Sequence, residues 1–264
     1  MLVCPVNVSE GRSASVLDAL ADGAGPHLLD VHTDADHHRS VLTVVGEEAP
    51  RALAVVAVER IDLVRHRGAH PRLGAVDVVP FVPVEGSDLE EATAARDRFV
   101  RWLGEELGVP AFAYGGPGRP TLPEIRRCAF APLRPDAGPD HPHPRAGASA
   151  VGARSPLMAY NLWLAKPDLA LARSLARSLR GPAVRALGLA VGREVQVSCN
   201  LLEPSSVGPD AVYDAVAAVT PVARAEVVGL VPHAVLEAVD RRRWSELDLA
   251  EDRTVEARLA RRRR

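Results

Sequence analysis

The chain contains 264 residues, of which 47% are hydrophobic and 25% are charged, and its formal net charge at pH 7 is −2. This composition excludes a chain that is disordered throughout, and the balanced charge gives no field that would draw the protein onto nucleic acid or an anionic membrane. Because domains usually contain ~100–200 residues, the length favours two small domains over one large domain.

The sequence indicates a cytoplasmic protein. Its three cysteines, Cys4, Cys128 and Cys199, are odd in number and far apart, so they indicate neither a disulfide framework nor a zinc site. The chain does not open with a basic segment followed by an apolar run, and no stretch of about 18 uninterrupted apolar residues occurs. We therefore expect a reducing compartment and no membrane association.

The first half of the chain predicts the element order β-α-β-β-α-β-α. Apolar, β-branched runs predict strands at residues 2–8, 27–33, 40–46 and 75–84. Helical spacing predicts helices after Gly11, over residues 50–64, and from the N-cap residue Ser87 to Gly108. The last strand is apolar on both faces except at Asp77, and its prolines predict a bend or an edge position.

Glycine and proline are dense between Gly115 and Gly147, which predicts a loop or an interdomain crossing. Loops of this length are usually functional or disordered. The second half then predicts the order β-α-β-β-α-β. Its strands are expected at residues 157–164, 184–191, 194–202 and 224–230, and its helices from Asp168, at residues 209–219 and from Pro232.

These orders predict an α/β (α+β) protein of two ferredoxin-like subdomains, each a mainly antiparallel sheet with helices packed on it, with the ligand cleft between them. We place the subdomains at residues 1–150 and 151–240. The charge-rich residues 241–264 are predicted to form a solvated, frayed helical tail without a function, and a weak nucleic-acid or partner patch is the alternative.

The densest polar segment runs from Arg65 to Arg72, between a predicted helix end and an apolar strand. A basic helix C-terminus that answers the helix dipole explains Arg65 and His66. It explains His70 poorly, because Pro71 and the neighbouring glycines fix that backbone beyond the helix. A held imidazole can accept and return a proton in one turnover, so His70 is a candidate catalytic residue. On this pattern alone a structural role is an equal alternative.

A second polar cluster has the composition of a metal site but not its spacing. Adjacent strand residues point to opposite faces, and no H-x-x-x-H or C-x-x-C spacing occurs, so a polar hairpin turn is favoured over a metal-dependent hydrolase site. The cluster consists of His32, Asp34, Asp36, His37, His38 and Arg39.

Two further segments carry weaker signals. The small residues from Gly147 to Arg154 would let a flat ligand approach the backbone, but they lack the spacing of a phosphate-binding loop. Gln196, Ser198 and Asn200 alternate along one strand face, which is either a solvated sheet face or the floor of a cleft.

Several segments together resemble the glutamate formimidoyltransferase (formiminotransferase) family. The resemblance runs in order over nearly the whole chain as far as the tail, so it is more specific than any single motif. The segments are Val6 to Gly11, Asp34 to Ser40, His66 to Ala75, Pro80 to Val84, Gly147 to Arg154, Gln196 to Leu201 and Val228 to Pro232.

The resemblance implies transfer of a formimino group from N-formimino-L-glutamate to tetrahydrofolate as co-substrate, a late step of histidine degradation that needs no metal or nucleotide. It implies a homodimer with small-molecule substrates. The family's active-site histidine precedes Pro-Arg, which maps onto His70, and we expect Arg39, Arg72, His32 and Asn200 to contact substrate. The family's folate loop maps onto Gly138, Pro139, Asp140, His141, Pro142, His143, Pro144, Arg145, Ala146 and Gly147.

The chain departs from the family pattern at two positions near these residues. Many members have glutamate directly before the active-site histidine, where this chain has Ala69, so one possible orienter of the imidazole is absent. His32 stands where relatives often have an acid. A folate enzyme that uses another one-carbon donor, such as formylglutamate, is therefore an alternative, as is a folate-binding protein that has lost catalysis.

Overall fold

The computed structural model of the protein describes residues 1–262 and divides into two compact units, the first spanning Met1–Ser155 and the second beginning at Pro156. This division falls near the boundary predicted after Ala150. Arg263 and Arg264, the end of the predicted tail, lie outside the described residues.

The first unit contains six strands and four α-helices among the described residues. The strands are β1 (Leu2–Val8), β2 (Leu28–Asp34), β3 (Arg39–Val45), β4 (Val76–Pro83), β5 (Ala111–Tyr114) and β6 (Ser149–Ala153). The helices are α1 (Ala14–Ala24), α2 (Glu48–Arg60), α3 (Leu89–Glu106) and α4 (Leu122–Cys128).

The strands of the first unit form one sheet in the order β2-β3-β1-β4-β6-β5. The strands β1 to β4 pair antiparallel in the order of a ferredoxin-like fold, which confirms the prediction for this part of the chain. The parallel pairs β4–β6 and β5–β6 then extend the sheet by two strands. The result is a mixed sheet with β4 near its centre.

Both faces of this sheet are covered. The first three helices pack on one face, where Leu20, Leu53 and Phe99 are each at most 1% exposed. The short helix α4 packs on the opposite face, in a smaller core that includes Phe112 and Ile125. Burial of β4 on both sides explains its nearly continuous apolar sequence.

A β-bulge interrupts β4 at Asp77. Opposite the bulge, Asn7 pairs with Val78 whereas Val8 pairs with Val76, so Asp77 is the additional residue. Val76 lies in the core on the side of the first three helices, and Val78 lies in the core on the side of α4. The prediction that β4 bends or lies at an edge is therefore wrong about the edge, and its irregularity is this bulge, which redirects Asp77.

The expectation that residues 115–147 form only a loop is wrong. They include α4, which begins with a capping box between Thr121 and Glu124. The small residues that follow are also not an open ligand-binding run, because Ser149–Ala153 is a buried strand between two others. A Cβ on Gly152 would lie 2.1 Å from the ring of Tyr114, so its small size serves packing.

The second unit has the strand order β10-β7-β9-β8, which again matches a ferredoxin-like fold and confirms the predicted order of elements. All its pairs are antiparallel. Its elements are β7 (Met158–Leu164), α5 (Leu169–Leu179), β8 (Val184–Val191), β9 (Glu194–Leu201), α6 (Pro209–Ala217), β10 (Val222–Val228), α7 (His233–Ala238) and α8 (Val255–Arg262).

The prediction of a solvated, frayed tail is wrong for residues 241–262. Leu247 is 0% exposed and lies with Leu249 in the core of the second unit, and Leu259 of α8 is 4% exposed. Val231 forms a bridge with Thr254, so the backbone of this segment is also attached to the unit. Buried leucines therefore stand among the many arginines of this segment.

Leu247→Ala is expected to lower the free energy of unfolding by about 2–5 kcal/mol, because it leaves a cavity in a closed core. The matched control is Leu187→Ala, since Leu187 is 44% exposed in the same unit, and its cost should remain below about 1 kcal/mol. Urea denaturation measures both. Equal costs for the two variants would contradict the packing described for the tail.

Candidate functional site

His70 lies in the segment between α2 and β4, at the edge of the sheet where β1 ends and β4 begins, and it is partly exposed. Its Nδ1 atom is 2.6 Å from the carbonyl oxygen of Pro71. A carbonyl oxygen can only accept, so Nδ1 carries the hydrogen and the lone pair of the neutral ring is on Nε2. His70 is therefore oriented as a base through Nε2.

The surroundings of His70 favour its neutral form. Burial, followed by the positive charges of Arg39 and Arg126, lowers the pKa of His70 from 6.5 to about 3, although Asp77 acts in the opposite direction. The ring is therefore uncharged at neutral pH, and its lone pair is on Nε2.

A buried ionic network lies behind His70 and is centred on Asp77, whose side chain is 0% exposed. Its carboxylate accepts hydrogen bonds from Arg39, from Arg126 at 2.8 Å and from the backbone N–H of Leu73 at 2.6 Å. Burial alone would raise the pKa of Asp77, but the two guanidinium groups lower it well below its usual value. Asp77 is therefore ionised and balances two cations.

Arg126 connects this network to His70. One of its guanidinium nitrogens donates to Asp77, and the other donates at 2.7 Å to the same Pro71 carbonyl that accepts from His70. The main-chain oxygen that orients the imidazole is thus itself held by an arginine. The Pro71 carbonyl therefore orients the imidazole in this chain, which has Ala69 where many family members have a glutamate.

Arg39 and Arg72, both predicted to bind substrate, lie in this network. Arg39 donates to Asp77 and also to Asn7 Oδ1 through Nη2 at 2.8 Å. Arg72 donates through Nη2 to the carbonyl oxygens of Gly68 at 2.8 Å and His70 at 2.6 Å. These bonds fix both guanidinium groups beside His70.

His66 is not part of a helix end, because α2 stops at Arg60, and the macrodipole explanation for it is wrong. It is buried, its Nε2 donates to the carbonyl oxygen of His38 at 3.0 Å, and its Nδ1 accepts from Arg72. Its ring stacks on that of His38 with centroids 4.0 Å apart. Burial and then the charge of Arg72 lower the pKa of His66 to about 4.

The loop after β1 is held by hydrogen bonds to Glu10 and contacts His38. Glu10 Oε1 accepts the backbone N–H groups of Gly11 at 2.8 Å, Arg12 at 2.7 Å and Ser13 at 3.0 Å. Gly11 also donates to His38 Nδ1 at 3.1 Å. A Cβ on Gly11 would lie 2.2 Å from a backbone oxygen, so this close approach requires glycine.

The predicted hairpin turn between β2 and β3 contains a carboxylate–imidazole pair. Asp34 Oδ2 lies 2.6 Å from His37 Nδ1, and the rings of His37 and His70 meet edge to face with centroids 6.1 Å apart. His38 has different partners, so the two adjacent histidines do not converge. Among residues 1–262, no three His, Cys, Asp or Glu side chains are grouped to hold a metal ion.

The predicted folate loop ends beside the segment that follows His70. Ala75 donates to the carbonyl oxygen of Ala146 at 2.8 Å, and Ala148 donates to that of Leu73 at 3.1 Å. Most of the loop is exposed, including Asp140 and His141, whereas its last two residues are partly or fully buried. The loop is therefore anchored at this end.

The other two predicted substrate contacts are not in this network. His32 lies within β2 opposite Val41, two residues before Asp34. Asn200 belongs to β9 of the second unit and is exposed, whereas Gln196 on the same strand face is buried and Ser198 is intermediate. The alternating polar residues thus form a gradient of exposure along the strand.

Four residues that hold the surroundings of His70 in place were not predicted from the sequence as site residues, namely Asn7, His66, Asp77 and Arg126. Asp77 carried a usable signal, because a charge inside a strand buried on both faces must be paired. The sequence contained no comparable signal for Arg126, which lies in a helix hidden within a proline-rich segment.

Acidification is expected to lower the free energy of unfolding through His66 and His70. Their pKa values are lowered from 6.5 in the folded protein, so below about pH 6.5 the unfolded chain binds protons that the folded chain does not. His66→Gln removes the part of this pH dependence of the unfolding free energy that comes from His66. The difference in unfolding free energy between wild type and this variant, from urea denaturation, should narrow from about pH 7 to about pH 4.5. A constant difference would contradict the depressed pKa of His66.

The fold and the site together define an α/β protein of two ferredoxin-like units, with a neutral histidine beside a buried ionic network in the first unit. Residues 1–154 match the family described as "Formiminotransferase domain, N-terminal subdomain". The chain belongs to this family.

Similar curated proteins agree with this assignment. A glutamate formimidoyltransferase from Thermoplasma acidophilum is 33% identical over 89% of each chain, and one from Streptococcus pyogenes serotype M1 is 38% identical over 67% of each. A formimidoyltransferase-cyclodeaminase from Gallus gallus is 37% identical over 91% of this chain and 52% of its own length. The chain thus spans about half of that larger relative. Among the described residues, the helices are too short or too polar to cross a bilayer.

Proposed function

We propose that this protein is a transferase that moves the formimidoyl group of N-formimino-L-glutamate to tetrahydrofolate, in the breakdown of histidine. The curated relatives at 33% and 38% identity carry the name of this activity. The observation that carries the proposal is His70, which is held through Nδ1 by the Pro71 carbonyl so that Nε2 is the basic nitrogen.

The reaction needs one proton to pass from N5 of the folate to the glutamate nitrogen. N5 attacks the amidine carbon and forms a new C–N bond, and the bond from that carbon to the glutamate nitrogen then breaks. His70 Nε2 takes the proton that N5 loses and returns it to the departing amine. The adjacent positive charges of Arg39 and Arg126 make the protonated imidazole a strong acid, which favours this return.

We propose that Arg39 and Arg72 contact carboxylates of glutamate or folate. Both guanidinium groups are already fixed by hydrogen bonds, so a carboxylate would meet preorganised donors. We further propose that His32 and Asn200 contact substrate and that Gly138 to Gly147 bind folate. The protein is also proposed to be a cytoplasmic homodimer that acts without a metal ion, nucleic acid or membrane.

The test is to mix the purified protein with formiminoglutamate and tetrahydrofolate and to follow the appearance of formimino-folate. We expect turnover, and its absence at micromolar enzyme would contradict the proposal. Formylglutamate is tested in parallel because Ala69 and His32 depart from the family pattern. Preference for formylglutamate would reassign the donor, and folate binding without turnover would indicate a non-catalytic protein.

A further inference from the structure

We propose that His37, oriented by Asp34, is a second proton carrier of this site and protonates the departing glutamate amine while His70 accepts the proton from the attacking nitrogen. This inference rests on the proposed function and assigns two roles where a single histidine was expected. It is carried by three features of the turn between β2 and β3.

The first feature is the fixed geometry of the pair. His37 is 6% exposed, and its Nδ1 is 2.6 Å from Asp34 Oδ2. The other carboxylate oxygen of Asp34 accepts the backbone N–H groups of Asp36 and His37, each at 2.8 Å. The carboxylate therefore cannot rotate away, and the ring of His37 is held in one orientation, as in other carboxylate–histidine pairs that exchange protons.

The second feature is the locked separation of the two imidazoles. Their ring centroids are 6.1 Å apart at an interplanar angle of 62°. The backbone N–H of Ala69 donates to the carbonyl oxygen of Asp36 at 3.2 Å, which ties the His70 segment to the turn. A Cβ on Gly68 would lie 2.3 Å from the carbonyl oxygen of His37, so the two segments are in direct contact. The two imidazoles are therefore fixed as neighbours in the same part of the site.

The third feature is an electrostatic contrast between the rings. The cations Arg39 and Arg126 act on His70, with Asp77 as the opposing anion, and the balance favours the neutral ring. His37 instead contacts a carboxylate, and the pKa of Asp34 is lowered to about 2 by its bonds to His37 in spite of burial, which acts in the opposite direction. Asp34 is thus an anion held against the ring of His37. Titratable pairs in contrasting environments commonly divide acid and base roles.

The proton balance closes over one cycle. The proposed cycle requires a neutral His70 and a protonated His37 at its start. As the C–N5 bond forms, N5 releases its proton to His70, and as the bond to glutamate breaks, the glutamate nitrogen takes a proton from His37. The extra proton on His70 then returns to His37 before the next turnover, so no external oxidant, reductant or metal is consumed.

The sharpest test is His37→Asn in the full chain. The asparagine Nδ2–H can replace Nδ1–H as the donor to Asp34, so the turn keeps its hydrogen bond while the ionisable ring is lost. We expect kcat to fall about 100-fold with KM within a few-fold of wild type, and the alkaline limb of the kcat profile against pH to disappear. His233→Asn, the same change at an exposed histidine of the second unit, should have no effect.

Each outcome is decisive. Wild-type kcat and pH profile in His37→Asn would overturn the second carrier and leave the proposed function intact, as would a loss of kcat with the alkaline limb retained. If this variant does not fold, Asp34→Asn is measured, and an unchanged alkaline limb there would overturn the inference. Wild-type protein without turnover would instead refute the proposed function itself.

Discussion

His70→Asn is expected to lower kcat for formimidoyl transfer by about 10²–10⁴-fold, the range attributed to a positioned acid–base group. The asparagine Nδ2–H can still donate to the Pro71 carbonyl, so the loop should keep its conformation, but the basic Nε2 is lost. The measurement is kcat with both substrates saturating, accompanied by the near-ultraviolet circular dichroism spectrum of the variant.

The control for this variant is again His233→Asn, which should match wild type in both activity and spectrum. A His70→Asn protein with an unchanged spectrum and at least one tenth of wild-type kcat would contradict the assigned role of His70. Loss of the native spectrum would assign the residue to structure instead.

Asp77→Asn is expected to lower the free energy of unfolding by about 3–5 kcal/mol, the usual cost of breaking a buried ion pair from one side. The variant keeps the size of the side chain but leaves the cations Arg39 and Arg126 without their shared anion. Urea denaturation at neutral pH measures this cost.

A surface ion pair supplies the comparison for Asp77. Glu194 and Arg224 pair at 2.6 Å with both side chains about half exposed, so Glu194→Gln should cost less than about 1 kcal/mol. If Asp77→Asn costs no more than this control, the network does not stabilise the fold in the manner described.

The element order of both units could be predicted because the periods of apolar residues are local features. A β-α-β-β-α-β order then implies the ferredoxin-like arrangement found in each sheet. The strand Ser149–Ala153 escaped prediction because its small residues, among them Gly152 beneath the Tyr114 ring, resemble a loop. The buried leucines of the C-terminal segment were missed because arginine dominates its composition.

The candidate site was predictable only in part, because local sequence patterns do not show contacts between distant residues. His70 was recognisable because proline and glycine set it apart from the preceding helix. Arg126, which donates to Asp77, is 49 residues from it in sequence, and no local pattern predicts a contact over that distance. His66 was assigned to a helix end because the termination of α2 at Arg60 is not marked by glycine or proline.

The acceptor that orients His70 belongs to the main chain, which has a consequence for mutagenesis. Every amino acid carries a carbonyl, so a library that varies side chains around this histidine leaves its orienting atom in place. Such a scan would find tolerance at Ala69 and would detect the orienter only indirectly, through Arg126, which donates to the same oxygen. Catalytic geometry of this kind depends on the path of the backbone more than on the identity of the neighbouring side chains.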